Sequence, residues 1–302
     1  MISRRWAGVG MALIVLSWGA NYVITKIGVG RLAPVDFVFW RFLGTSVVTL
    51  PWMVKAVPHT RRDIVGLALM GLVGVSLYQW LFSTALHLTL SANVAFLFNL
   101  SPLLTLIWQR LTRKANVGSH MWWGAALSFV GVALLAGASI KGGYLGDLFA
   151  ILAAGSWSAF AVMTDRFQVS VKGLAQTGWI SIVGAIGVLP FVSFEPVWRM
   201  GTATWMPLLY TIFFVTVMGL SLWQNAVETA GAGRASLMLY IIPLVAALAG
   251  WIILGERLSV GEGVGAIAIL VGVAWADGRL SFRGRGPGDT PGMPEVQGDA
   301  TG

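Results

Sequence analysis

Long apolar runs alternate with short polar breaks along the whole chain. Runs near twenty residues, about 30 Å of helix, are long enough to cross a bilayer. They fall at roughly 6–28, 35–54, 63–86, 90–110, 120–139, 145–165, 175–194, 204–229, 233–254 and 262–279. The breaks are too short to hold a sizeable aqueous domain. In lipid the backbone must satisfy its own hydrogen bonds, which apolar runs of this length do as helices. The pattern therefore predicts an all-α, polytopic membrane protein with ten transmembrane helices. The first run also resembles a signal peptide, with Arg4-Arg5 ahead of apolar residues and a small residue at Ala20. It continues past Ala20, and its polar residues recur later in the chain, so a retained helix is expected.

Composition agrees with this. The 302 residues are 57% hydrophobic and 11% charged, with a mean hydropathy of +0.78. Soluble domains carry about 25% charged residues, and this chain could not solvate such a surface. The net charge of +8 would suggest a nucleic-acid partner in a soluble protein. Here the basic residues sit in short loops, so the expected partner is the bilayer and not nucleic acid. With the N-terminus inside, the cytoplasmic segments hold Arg4, Arg5, Lys55, Arg61, Arg62, Arg110, Arg113, Lys114, Arg166, Lys172, Arg234, Arg279, Arg283 and Arg285. The opposite side holds only Lys26, Arg31, Lys141, Arg199 and Arg257. Positive residues favour the cytoplasmic side, which places both termini there. From residue 280 to 302 the chain is rich in Gly and Pro and reads as a disordered cytoplasmic tail.

The halves repeat each other. Ser17-Trp18-Gly19-Ala20 matches Ser156-Trp157-Ser158-Ala159, and Gly74-Val75-Ser76-Leu77-Tyr78-Gln79 matches Gly219-Leu220-Ser221-Leu222-Trp223-Gln224. Thr84-Ala85 and Thr229-Ala230 follow at the same distance. Pro102 aligns with Pro243, and Gly124 and Gly131 with Gly265 and Gly272. Five spans per half make the second copy enter the membrane from the opposite side. The expected division is a first repeat over 1–141, an inverted second repeat over 142–279, and the tail. Inverted repeats of this kind build secondary transporters, with the substrate near the midplane between the halves.

Polar side chains inside spans are costly unless they face the bundle interior or a wet cavity. Trp18, Asn21, Tyr22 and Thr25 share one helical face of the first span. Tyr78 and Gln79 lie in the third span, Asn99 precedes Pro102 in the fourth, and Trp157 lies in the sixth. Trp223 and Gln224 lie in the eighth, and Tyr240 precedes Pro243 in the ninth. Asn and Gln donate and accept without fixing a charge, and Trp and Tyr offer flat apolar area with a polar edge. The set Trp18, Asn21, Tyr78, Gln79, Asn99, Trp157, Trp223, Gln224 and Tyr240 would suit a zwitterionic, partly apolar solute. Pro102 and Pro243 free the carbonyls of Phe98 and Leu239 and are expected hinges. Trp6, Trp52, Trp122, Trp123 and Trp205 lie at span ends as interfacial anchors do. Arg41 is the one basic residue inside a span. It could hold a substrate carboxylate, snorkel to the outer face, or pair with Asp36 about one turn away. Gly124 with Ser128, and Gly261 with Gly265, have the spacing of close helix contacts.

Other chemistry is disfavoured. Cysteine is absent and the three histidines are dispersed, so neither a disulfide nor a metal site is expected. The sequence has no phosphate-binding Gly-x-x-x-x-Gly-Lys loop, no His-Glu-x-x-His and no Gly-x-Ser-x-Gly. An enzyme is not expected, and no cofactor is implied. The carboxylates lie near span ends, which argues for downhill transport without an obligatory coupling ion.

Trp18-Gly19-Ala20-Asn21-Tyr22-Val23-Ile24-Thr25-Lys26, then Pro34 with Arg41-Phe42, the Pro102 and Pro243 helices, and Leu254-Gly255-Glu256-Arg257-Leu258 together resemble the EamA family of the drug/metabolite transporter superfamily. The likeness covers residues 6 to 279. The first half departs from the pattern, having Arg113-Lys114-Ala115-Asn116 where an acidic residue would fall. The resemblance implies a ten-helix metabolite exporter of the bacterial inner membrane, a monomer or weak homodimer. The aromatic-rich spans look most like YddG-type exporters of aromatic and other hydrophobic amino acids. Export of another metabolite or drug on the same fold, or a membrane-embedded enzyme, are the alternatives.

Overall fold

The structure, a computed structural model, is described for residues 4–113, 117–135, 143–194, 201–245 and 260–278. Ten helices appear among these residues: α1 (Arg4–Val29), α2 (Pro34–Met53), α3 (Arg61–Leu88), α4 (Ser91–Thr112), α5 (Ser119–Leu135), α6 (Tyr144–Phe167), α7 (Gly173–Phe191), α8 (Thr202–Ala230), α9 (Ala232–Val245) and α10 (Val260–Ala276). Each falls on an expected span. Six of them, α1, α3, α4, α6, α7 and α8, are long and apolar enough to cross a membrane, while α5, α9 and α10 are shorter apolar helices. The Leu254–Leu258 motif, the end of the ninth span and the tail lie outside the described residues.

Local chemistry sets the helix ends. Pro34 opens α2, where its missing N–H is no loss. Thr60 caps α3 by accepting from the Asp63 N–H at 3.0 Å. Gly231 leaves α8 with a φ of 84°, which a side chain would oppose. Two kinds of irregularity recur at matched places. The helix breaks at Asn99–Leu100, just ahead of Pro102 in α4, and tightens over Met238–Tyr240, just ahead of Pro243 in α9. In α3 the helix widens to π geometry over Leu72–Leu77, and in α8 over Thr211–Leu220. Both wide turns precede or overlap the repeated Gly-x-Ser-Leu-aromatic-Gln segment.

Packing shows the repeat in three dimensions. Gly74 is bare because Phe160 of α6 occupies the space of a Cβ, and Gly219 is bare because Trp18 of α1 does so. Thus α3 meets α6 as α8 meets α1, the exchange a two-fold relation requires. Gly124 lies against the Gly272 carbonyl and Gly131 against that of Gly265, so α5 and α10 run antiparallel with their backbones in contact. Helices α2 and α7 also pair, with Gly178 against Thr49 and Met53. The reciprocal, antiparallel contacts of matched glycines make the two halves inverted copies.

The outer surface is apolar. Leu16, Val47, Ile186, Met206 and Ile267 are each more than half exposed, as residues facing lipid are. Polar ties are concentrated at the ends. At one end Lys26 Nζ donates to the carbonyls of Leu86, at 2.9 Å, and Thr89. There Thr89 Oγ1 and Asn93 Nδ2 also donate to Asp147 Oδ1 at 3.1 and 3.3 Å. At the other end Lys172 pairs with Glu228 at 2.9 Å, and Asp63 accepts from the Ser170 amide and hydroxyl at 2.8 and 2.7 Å.

Candidate functional site

A cavity of about 40 Å³ lies between the halves. Trp18, Asn21 and Tyr22 reach it from α1, Arg41 and Phe42 from α2, and Gly74, Tyr78, Gln79 and Phe82 from α3. Phe98 of α4, Trp157 of α6, Val215 and Leu220 of α8, and Ile242 of α9 complete its lining. One wall is a cluster of rings. Trp157 lies 5.3 Å from Trp18, 5.0 Å from Tyr78 and 5.4 Å from Trp223, measured between ring centres. Such separations are those of favourable aromatic pairs, each adding about 0.5–1.5 kcal/mol beyond burial.

The wide turns shape this cavity. A π turn leaves carbonyls displaced from the regular ladder, where side chains can reach them. Val215 offers its carbonyl to Trp18 Nε1 at 3.2 Å, and Val73 offers its own to Ser156 Oγ at 2.8 Å. Carbonyls of the wide turns in α8 and α3 thus hold residues of the matched helices α1 and α6. Asn21 Oδ1 accepts from Thr25 Oγ1 at 2.9 Å, which fixes the amide at the cavity edge.

Arg41 is 2% exposed and faces neither the outer surface nor Asp36. Its Nε donates to Thr216 Oγ1 at 2.9 Å and its Nη1 to Gln79 Oε1 at 3.2 Å, and its Cζ lies 5.0 Å from the Phe42 ring centre. Asp36 accepts instead from Ser193 Oγ and the Phe194 amide, at 2.6 and 3.0 Å. The pairing considered from sequence is therefore not the one formed, because Asp36 caps the far end of α7.

Of the residues expected at the site, Trp18, Asn21, Tyr78, Gln79 and Trp157 line the cavity. Trp223 stands directly behind the Trp18 and Trp157 rings. Asn99, Gln224 and Tyr240 are buried but do not line it. Asn99 turns back along α4, with Nδ2 donating to the Ala95 carbonyl at 2.6 Å, and bridges the break before Pro102. Gln224 and Tyr240 keep side-chain polar atoms without partners among the described residues, and Tyr240 packs in the separate cluster with Leu106, Ala125 and Ile269. Phe42, Phe82 and Phe98 are not among the side chains that the sequence places at the site. An isolated Phe in a run of Leu and Val gives no signal distinguishing a cavity wall from a helix contact. Among the described residues no carboxylate lines the cavity, and no group of three His, Asp or Glu is placed to hold a metal ion.

Comparison with known proteins agrees with the architecture. A transporter of Bacillus subtilis (strain 168), the uncharacterized YyaM, is 26% identical over 277 residues, covering 86% of this chain and 90% of that protein. A probable amino-acid metabolite efflux pump of Salmonella typhimurium is 24% identical over 286 residues, covering 86% and 91%. The uncharacterized inner membrane transporter YedA of Escherichia coli (strain K12) is 25% identical over 266 residues, covering 83% and 84%. A solved crystal structure at 21% sequence identity superimposes with a TM-score of 0.71 over 91% of this chain and 97% of its own, which shows the same fold. The profile of the EamA-like transporter family matches twice, over residues 5–137 and 144–276. Two copies of that module, set in opposite orientations around one cavity, make this chain a membrane transporter of the EamA-like family.

Proposed function

We propose that this transporter exports small, partly apolar metabolites across the bacterial inner membrane, aromatic and other hydrophobic amino acids foremost. The observation that carries the reading is the cavity wall of Trp18, Tyr78, Phe82, Phe98 and Trp157, interleaved with the Asn21 and Gln79 amides. Flat rings accept an apolar side chain in many orientations, and the amides answer either polar end of a zwitterion. The Salmonella relative's description as an amino-acid metabolite efflux pump supports the same class. The excess of Lys and Arg on one side supports cytoplasmic termini.

Transport proceeds by alternating access. Ligand sites for drug-sized molecules span about 300–1,000 Å³, so a cavity of about 40 Å³ admits an amino acid only after the rings part. The breaks before Pro102 and Pro243 are the proposed hinges, one in each repeat. Among the described residues no carboxylate lines the cavity to carry a proton, which supports downhill flux. The test is uptake of labelled phenylalanine and threonine into liposomes holding the purified protein, with empty liposomes and Trp157→Ala as controls. Saturable uptake without an imposed proton gradient is expected. Failure with both amino acids under every gradient overturns the substrate class, and accumulation dependent on a proton gradient overturns downhill flux.

A further inference from the structure

The guanidinium of Arg41 is the most unusual group in the membrane-embedded core. It sits midway along α2 (Pro34–Met53), 2% exposed, on the wall of the cavity. A guanidinium has five N–H donors in a rigid fork. Two are engaged, by Thr216 Oγ1 and Gln79 Oε1. The other three have no acceptor among the described residues.

Among the described residues no carboxylate pairs with it. Asp36 is held by Ser193 and Phe194, Asp63 by Ser170, Asp147 by Thr89 and Asn93, and Glu228 by Lys172. Asp165 accepts from Gln109 at the far end of α4. A buried cation without a counter-ion is strongly disfavoured, and two neutral hydrogen bonds with one ring contact offset only part of that. The charge is tolerated where an anion visits.

We infer that Arg41 is the seat of a substrate carboxylate, and that the transported class is apolar and aromatic monocarboxylates, with amino acids as members of it. This rests on the cavity being the transport site. A carboxylate presents two oxygens at the spacing of the guanidinium fork, the pairing that makes Arg–carboxylate contacts strong and directional. The apolar remainder then lies against Trp18, Trp157 and Tyr78 on the same cavity. Among the described residues the lining has no acid to receive an ammonium group, so the α-amino group of an amino acid is dispensable while its carboxylate is not.

The same geometry couples binding to movement. Thr216 belongs to the wide turn of α8 and Gln79 follows that of α3, so Arg41 ties one helix of each repeat through hydrogen bonds that a carboxylate competes for. Occupancy of the fork loosens the tie at the point where the halves meet.

The test compares three probes on purified, detergent-solubilised protein: phenylalanine, 3-phenylpropionate, which lacks the amine, and phenylethylamine, which lacks the carboxylate. Thermal unfolding and quenching of tryptophan fluorescence report binding to wild type, Arg41→Gln and Arg41→Lys. Phenylalanine and 3-phenylpropionate are expected to stabilise wild type, and phenylethylamine to have no effect. Arg41→Gln should lose the response to both acids. Arg41→Lys should weaken it about tenfold, because an ammonium is a point charge without the fork. The acid–amine comparison uses wild type alone and so holds if Arg41→Gln does not fold. Equal stabilisation by phenylethylamine, undiminished acid binding in folded Arg41→Gln, or no response of wild type to either acid overturns the assignment. If the acids bind wild type through Arg41 while liposomes take up no phenylalanine, the amino-acid reading alone fails.

Discussion

Replacing Trp157 by alanine is the sharpest test of the aromatic wall. Trp157 is 3% exposed and its ring lies 5.0–6.3 Å from those of Trp18, Tyr78, Phe98, Phe160 and Trp223. Its Nε1 has no hydrogen-bond partner among the described residues, so the substitution removes packing. Trp→Ala deletes about 140 Å³ of side chain, and at about 24 cal/mol per Å³ of cavity the loss approaches 3.4 kcal/mol. The neighbours already border a cavity and can relax into the space, which lowers the expected cost to about 2–3 kcal/mol. In lipid the unfolded reference is itself apolar, so packing and not hydrophobic transfer dominates this figure. Trp157→Phe keeps a ring and should cost about 1 kcal/mol. Unfolding by SDS titration, followed by circular dichroism, measures both. Transport supplies a second readout. Losing one or two ring contacts with the substrate, at about 0.5–1.5 kcal/mol each, should raise the KM for phenylalanine roughly tenfold. Threonine, with no ring to stack, should change little. A stability loss below about 1 kcal/mol for Trp157→Ala, with phenylalanine KM unchanged, refutes the assignment of this wall to both core and site.

Other substitutions probe the architecture. Gly219→Ala and Gly74→Ala drive a methyl group into Trp18 and Phe160 respectively, and each should cost about 1–3 kcal/mol and slow uptake. Gly263→Ala meets nothing within 4 Å and should be neutral or slightly stabilising in the same titration. Lys26→Gln removes the tie from α1 to the Leu86 and Thr89 carbonyls at the end of α3. It should lower stability by about 1–3 kcal/mol and raise the rate at which that end becomes accessible to a thiol reagent, read from a cysteine placed at Ala92 in the otherwise cysteine-free chain. Lys172→Met breaks an ion pair whose lysine is 46% exposed. It should therefore change stability by no more than about 1 kcal/mol, and a larger loss in the titration would show that the pair is a structural lock.

The number, place and order of the helices were legible in the sequence because bilayer thickness imposes a length that apolar runs record directly. The repeat was legible for a similar reason. Trp18 and Trp157, Gly74 and Gly219, and Pro102 and Pro243 stand in the same order in each half, and an odd number of spans per half forces the inversion. The shared face of Trp18, Asn21 and Tyr22 followed from helical spacing within a single span.

What the sequence could not supply is how each helix turns about its own axis within the bundle. In water a polar face marks the outside, but in lipid both the outward face and much of the core are apolar, so the usual marker is weak. Only the tertiary structure removed Asn99, Gln224 and Tyr240 from the cavity and brought in Phe42, Phe82 and Phe98. The wide turns in α3 and α8 compound the difficulty, since an extra residue in a turn rotates everything beyond it by about 100° relative to a regular helix. Arg41 shows the division most clearly. The sequence placed a lone cation inside a span. Three helices had to come together before its bonds to Gln79 and Thr216 could exist.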